Sequence, residues 1–215
     1  GRAQGHSYNV TARATAVPYV EDDGRKLVHL GAAVSIRRPE GGDFSLAAKA
    51  ATHMSPDLVG ARTDSMDTLE HTDRVVLLGA EAAGILGPVL LQGEFVLAAT
   101  ANDTLNDPSF NSYYVEASYM LTGEHRRYES GIIEGIRPTE NFDGVGGRGA
   151  WEVAARFARI DLTDGMVEGG ELSDVTLGLN WYLNPYARIM FNYVHADLDN
   201  VGTSNAFMTR FQVVF

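Results

Sequence analysis

Apolar and polar residues alternate along this chain in long runs. In RKLVHLGAAVSIRR, Val28, Leu30, Ala32, Val34 and Ile36 share one face, while His29, Gly31, Ala33, Ser35 and Arg37 share the other. That is the period of a strand and leaves little room for a helix. The closing AFMTRFQVVF repeats it: Phe207, Phe211, Val213 and Phe215 fall on one face with Thr209 interrupting, and Met208, Arg210, Gln212 and Val214 fall on the other. Similar segments run from Tyr8 to Val17, Phe44 to Thr52, Val75 to Ile85, Val89 to Ala99, Ser112 to Thr122, Ala150 to Leu162, Leu172 to Leu183, Tyr186 to Ala196 and Asn205 to Phe215. The pattern predicts about ten strands.

Many of these segments run to about nine to twelve residues, where strands of soluble sandwiches average about five or six. A tilted strand crossing a bilayer needs about nine to eleven. Short connections fall at Pro39 to Gly42, Leu86 to Pro88 and Asn184-Pro185. Longer polar ones fall at Val20 to Arg25, Met54 to Arg74, Ala101 to Asn111, Thr163 to Glu171 and Asp197 to Ser204. With the C-terminus periplasmic, the short turns are expected on that side and the long loops outside, the asymmetry of an outer-membrane barrel. Trp151, Trp181 and Tyr186 then mark the periplasmic ends, with Tyr193 and Phe207 near the outer ones. Gly123 to Gly149 breaks the scheme: it folds into the lumen, forms extra strands, or marks a miscount.

The fold expected is therefore all-β, a transmembrane antiparallel β-barrel of the bacterial outer membrane. It forms one domain over residues 1–215, either complete or lacking N-terminal strands. In such a sheet the apolar face meets lipid and the polar face the lumen. Leu30, Val34, Leu78, Leu91, Phe95, Phe157, Leu177, Leu179, Phe191 and Phe211 point outward. The pore-lining set is Arg13, Arg37, Lys49, Arg156, Arg188 and Arg210, with Glu81, Glu94, Glu116, Glu152 and Asp174. A wall this charged suits water, and rows of charged side chains sort ions. The two signs nearly balance, so position along the pore decides selectivity. Arg156, Arg188 and Arg210 are the leading candidates because they sit mid-strand on the inward face.

Composition narrows the picture. The chain has 28 acidic and 17 basic residues, a formal charge of -11, which opposes nucleic-acid binding through a general basic field. It has no cysteine, which removes disulfides, thiolate metal sites and cysteine nucleophiles. The most apolar stretch, GAEAAGILGPVLLQGEFVLAATA, contains Glu81, Gln92 and Glu94 and is broken by Gly87-Pro88, so two strands explain it better than a membrane helix. The opening GRAQGHSYNV lacks Met and any charged-then-apolar leader, so a signal peptide is expected to have been removed or to lie upstream.

Catalytic motifs are wanting. GVGGRG at Gly144 to Gly149 matches a dinucleotide fingerprint but leads into the alternating GAWEVAARF, a strand where that motif needs a helix. The six histidines fall singly, without metal-ligand spacing. Asp197 and Asp199 in HADLDN read as a polar loop tip sooner than as a calcium site. No serine has the setting of a nucleophile elbow. No catalysis, metal or cofactor is expected.

Several runs carry a family resemblance: GAEAAGILGPVLLQGEF, SYYVEASYMLTGEHRRY, GAWEVAARFARIDL, GLNWYLNPYARIMFNYVHAD and the terminal FQVVF. Over most of Arg74 to Phe215 the chain resembles the phosphate-selective porin O and P family. The resemblance implies a sixteen-stranded trimeric outer-membrane channel for phosphate or polyphosphate, with basic residues and inward-folded loops at its constriction. This chain is similar to its C-terminal portion, with the first strands absent. The matching positions are Glu81, Gly87-Pro88, Glu94, Leu121-Thr122-Gly123-Glu124, Trp151-Glu152 with Arg156, and Asn184-Pro185. The resemblance implies that Met54 to Arg74 folds inward from outside and Gly123 to Gly149 from the periplasm. It further implies contact with outer-membrane lipid and lipopolysaccharide, a homotrimer, small anionic solutes, and a terminal aromatic signal like that read by the barrel-assembly machinery. The acidic run Asp64, Asp67, Glu70 and Asp73 departs from a phosphate funnel. A structural outer-membrane barrel without transport is the competing function, and a soluble β protein is separated from both by partitioning.

Overall fold

The computed structural model describes residues 7–52, 55–61 and 69–214. In chain order its strands are β1 (Tyr8–Glu21), β2 (Lys26–Arg38), β3 (Ala47–Ala48), β4 (Val59–Gly60), β5 (Arg74–Leu86), β6 (Val89–Ala101) and β7 (Ser109–Met120). There follow β8 (Tyr128–Glu129), β9 (Ile132–Ile133), β10 (Ala150–Asp164), β11 (Val167–Asn184), β12 (Ala187–Leu198) and β13 (Gly202–Val213). The long strands form one antiparallel nine-stranded sheet in the order β1-β2-β5-β6-β7-β10-β11-β12-β13, and β3-β4 and β8-β9 are separate two-stranded pieces. β1 and β13 have one neighbour each, so the pairing of last strand to first is not among the contacts of the described residues.

The expected strand at Phe44 to Thr52 is absent from the wall. Only Ala47–Ala48 is extended and paired there, against Val59–Gly60, and Phe44 forms a lone bridge to Leu69. The segment 39–73 is thus a single connection from β2 to β5. Its apolar alternation serves packing on the sheet, where it mimics a wall strand in sequence. Removing one strand inverts the side of everything upstream. The β1-β2 turn at Asp22–Gly24 therefore lies on the same side as Gly87-Pro88 and Pro185-Tyr186, and Pro39 to Gly42 opens the long connection at the opposite end.

The expected asymmetry of loops is also corrected. Residues 163–171 and 197–204 are mostly paired strand, with tight turns at Gly165-Met166 and around Asn200. Polar residues dominate both ends and imitate a loop in sequence, although Val167 at the β10-β11 end is buried with Leu162 and Leu172. The two long connections, 39–73 and 121–149, lie one at each end of the sheet. Turn chemistry explains the tight ones: Gly87 adopts φ +56 before Pro88, and the Asn184 side-chain oxygen accepts the N–H groups of Tyr186 and Ala187 at 2.8 and 2.9 Å.

Both long connections pack on the polar face and create the core. From one end, Ala50, Val59, Ala61 and Leu69 pack against Ala98, Phe110, Leu162, Val167, Leu172 and Ala196. From the other, Ile136 joins Met120, Ala150 and Tyr182, while Tyr128 and Ile133 cover Leu27, Ile85 and Leu90. The opposite face stays open, with Leu30, Leu78, Leu91, Phe95, Phe157, Leu177, Phe191 and Phe211 all exposed.

Candidate functional site

Between these dry patches the inner face carries a polar band. Cross-strand register sets its rows. One runs Thr15, Gly31, Glu81, Glu94, Tyr114, Ala158, Asp174, and the next runs Gln92, Glu116, Arg156, Thr176. Glu81 and Glu94 are direct cross-strand partners, a like-charge pairing that destabilises a sheet unless one side chain leaves. Glu81 does leave. It leans across Gly31 to ion-pair with Arg13, whose Nε donates to Oε1 at 2.9 Å, and to meet His29 Nε2 at 3.1 Å. His29 Nδ1 in turn lies 2.7 Å from the Tyr128 hydroxyl, and Arg13 reaches the Gly131 carbonyl at 3.4 Å. Wall and inserted connection are thereby tied together.

Gly31 makes this possible, because a Cβ there would occupy the space of the Glu81 carboxyl group. Gly31→Val is expected to push Glu81 back toward Glu94 and lower stability by about 1–3 kcal/mol, read as a fall in the urea midpoint of the folded protein.

Glu152 occupies a different environment from the expected open lumen: it is 0% exposed. Arg126 of the 121–149 connection donates Nη2 to its Oε1 at 2.5 Å, and the Tyr182 hydroxyl and Asn180 amide donate to Oε2 at 2.7 and 2.9 Å. It anchors the connection and does not face water. Glu124 fastens the same segment. Burial pushes its carboxyl group up, but the Thr122 hydroxyl and the Thr139 backbone N–H outweigh burial and leave it below the usual carboxylate range.

The remaining expected pore residues are spread along the inner face. Arg156 lies mid-strand with its guanidinium carbon 4.2 Å from the Tyr114 ring centroid, and its Nε is buried without a hydrogen-bond partner among the described residues. Lys49 is not on a wall strand as expected. It sits just past β3 and faces a cleft shared with Glu94, Tyr114, Arg156 and Asp174. Asp174 is buried and accepts from Thr176 Oγ1 at 3.4 Å. Glu116 stands opposite Arg156. Arg188 sits at the rim, near the start of β12 and not mid-strand, donating Nε and Nη2 to Gln212 Oε1 at 3.1 and 2.9 Å. Arg210 is opposite Met190 on β13, and Arg37, near the end of β2, donates to Ser35 Oγ at 3.1 Å. Asp64 and Asp67 of the acidic run, Met54 and Phe215 lie outside the described residues. His29, Tyr114, Arg126 and Tyr128 are additions. Alternation already placed His29 on the polar face, and Tyr114 lies two residues from the inward Glu116, whereas Arg126 and Tyr128 lie in a connection without periodicity.

Long antiparallel strands, apolar on one face and charged on the other, with two connections packed on the charged face, have the pattern of a porin wall. The family model for phosphate-selective porin O and P matches residues 1–215, and the chain belongs to that family. It is 33% identical to Porin O of Pseudomonas aeruginosa over 156 residues, 64% of this chain and 34% of that protein. It is 28% identical to an uncharacterized protein of Caulobacter vibrioides over 197 residues, 90% of this chain and 38% of that protein. The chain spans about a third of the length of the relatives it matches.

Proposed function

We propose that this chain forms wall and constriction of an outer-membrane porin through which small anions such as phosphate diffuse passively, within a homotrimer as in the family it belongs to. The observation that carries this reading is the convergence of two inserted connections on the inner face, which leaves a charged band between them. Outward positions from Val175 to Trp181 on β11 span about 20 Å of strand. At a strand tilt of about 40° that stretch rises about 15 Å, enough to fill the middle of an apolar belt about 25 Å tall. Tyr193 and Phe207, with ring centroids 4.8 Å apart, border it on one side, and Trp151 and Trp181, 5.0 Å apart, on the other.

Sign selectivity follows from which charges are spent. Glu81 is neutralised by Arg13, and Glu152 by Arg126. With Lys49 also paired to Asp57 at 3.9 Å, Arg156, set over the Tyr114 ring in the cleft it shares with Glu94 and Asp174, is the cation placed to meet a passing anion. The test is reconstitution in a planar bilayer under a salt gradient. The expected reversal potential is on the anion side, and Arg156→Glu shifts it toward cations. A cation-side potential for the unaltered protein refutes anion passage, and absence of conductance from a folded, inserted protein supports the purely structural reading.

A further inference from the structure

The connection 121–149 touches both faces of the sheet. Ile136 is buried with Met120 and Tyr182 on the inner face, yet Phe142 packs edge-on against Trp181 on the outer face, with ring centroids 4.9 Å apart. The chain is pinned where it crosses the rim. The Phe142 N–H donates to the Leu183 carbonyl at 2.7 Å, Trp181 Nε1 donates to the Arg148 carbonyl at 2.9 Å, and Gly149, at φ +67, lies too close to the Tyr182 carbonyl for any Cβ. Between these points the tip closes on itself: Asp143 Oδ1 accepts the N–H groups of Val145, Gly146 and Gly147 at 2.8, 2.9 and 3.0 Å. Those hydrogen bonds hold the Asp143 carboxyl group below the usual range. What the tip presents outward is Val145, 96% exposed and flanked by glycines.

We propose that residues 140–149 are a hook over the rim that seats Phe142 and Val145 in the headgroup layer of the phospholipid leaflet on that side, with the exposed Arg148 beside the lipid phosphates. The inference rests on the reading that the outer apolar face meets lipid. Four features favour lipid as the occupant. The hook is continuous with the apolar strand face, through Trp181 to Leu179 and Val153. Stacked indoles suit a boundary that is greasy at one end and wet at the other. A single valine on a glycine-flanked tip presents no broad surface for a second protein copy to bury. Backbone donors already bound to Asp143 lower the cost of leaving water.

The chain has no cysteine, so single thiols can be placed freely. Val145→Cys, Leu177→Cys and Thr203→Cys, each carrying an environment-sensitive fluorophore, are compared in phosphatidylethanolamine/phosphatidylglycerol vesicles. The label at position 145 is expected to emit to the blue and to be quenched best by lipids spin-labelled at the headgroup or the first acyl carbons. The label at 177 responds to deeper spin labels and the one at 203 to aqueous iodide. A label at 145 as accessible to iodide as that at 203 overturns the hook while leaving the membrane reading intact. Shielding at 145 without lipid quenching, together with crosslinking of two copies through the introduced thiol, assigns the tip to a second copy and also overturns it. Iodide access at 177 overturns both readings at once.

Discussion

Glu152→Gln is expected to destabilise the fold by about 3–5 kcal/mol, the cost of leaving a buried charge without its partner. The substitution preserves shape but converts a carboxylate that accepts from Arg126, Asn180 and Tyr182 into an amide that offers its own donors to the guanidinium. Arg126 is only 16% exposed, and its Nε is already buried without a hydrogen-bond partner among the described residues, so little water is at hand to replace the lost charge. The measurement is the urea midpoint of the folded protein in micelles. Arg126→Met combined with Glu152→Met should recover much of the loss, because replacing both partners by apolar groups removes the stranded charge. Equal stability of wild type and Glu152→Gln would show that the ion pair is not what holds the connection down.

Much of this arrangement was legible from alternation alone, because a half-buried strand writes its two faces into the sequence with period two. The faces of Arg13, Glu81, Glu94, Glu116, Arg156 and Asp174 follow directly, and register then brings Glu81 opposite Glu94. Three features were hidden. Phe44 to Thr52 alternates because it packs on a sheet, which imposes the same pattern as belonging to one. The hairpin ends near Asp164 and Asp199 are largely exposed and polar, and polarity alone does not distinguish a paired strand from a loop. The burial of Glu152 depends on Arg126, a residue in a connection with no periodic signal. A clue to the covering segments was nonetheless present. Leu27, Ile85, Leu90, Leu77, Ala98 and Phe110 are apolar on the face that elsewhere carries charge, and an apolar patch on a charged face calls for a covering segment.

Excising residues 125–138 and joining the ends with glycine and serine is expected to raise single-channel conductance about twofold or more while weakening ion selectivity, since conduction follows the width and charge of the narrowest section. On the porin reading proposed above, the effect exceeds that of any single charge change because the segment would narrow the lumen in two ways. It occupies the inner face over Leu27, Ile85 and Leu90, and through Tyr128 and Gly131 it holds His29, Arg13 and Glu81 in one cluster. With the segment gone, the apolar patch is wetted and Arg13 and Glu81 regain mobility, so fixed charges become a diffuse lining. The nine wall strands keep every ladder of backbone hydrogen bonds, because β8 and β9 pair only with each other. Folding and conductance therefore separate: a variant that retains the compact, urea-resistant fold yet conducts like the parent would place the constriction elsewhere, at the 39–73 connection beside Lys49 and Asp174. An intermediate result is expected for Glu152→Gln, in which the segment stays present but poorly anchored. Its current should fluctuate between the parent level and the level of the excised protein.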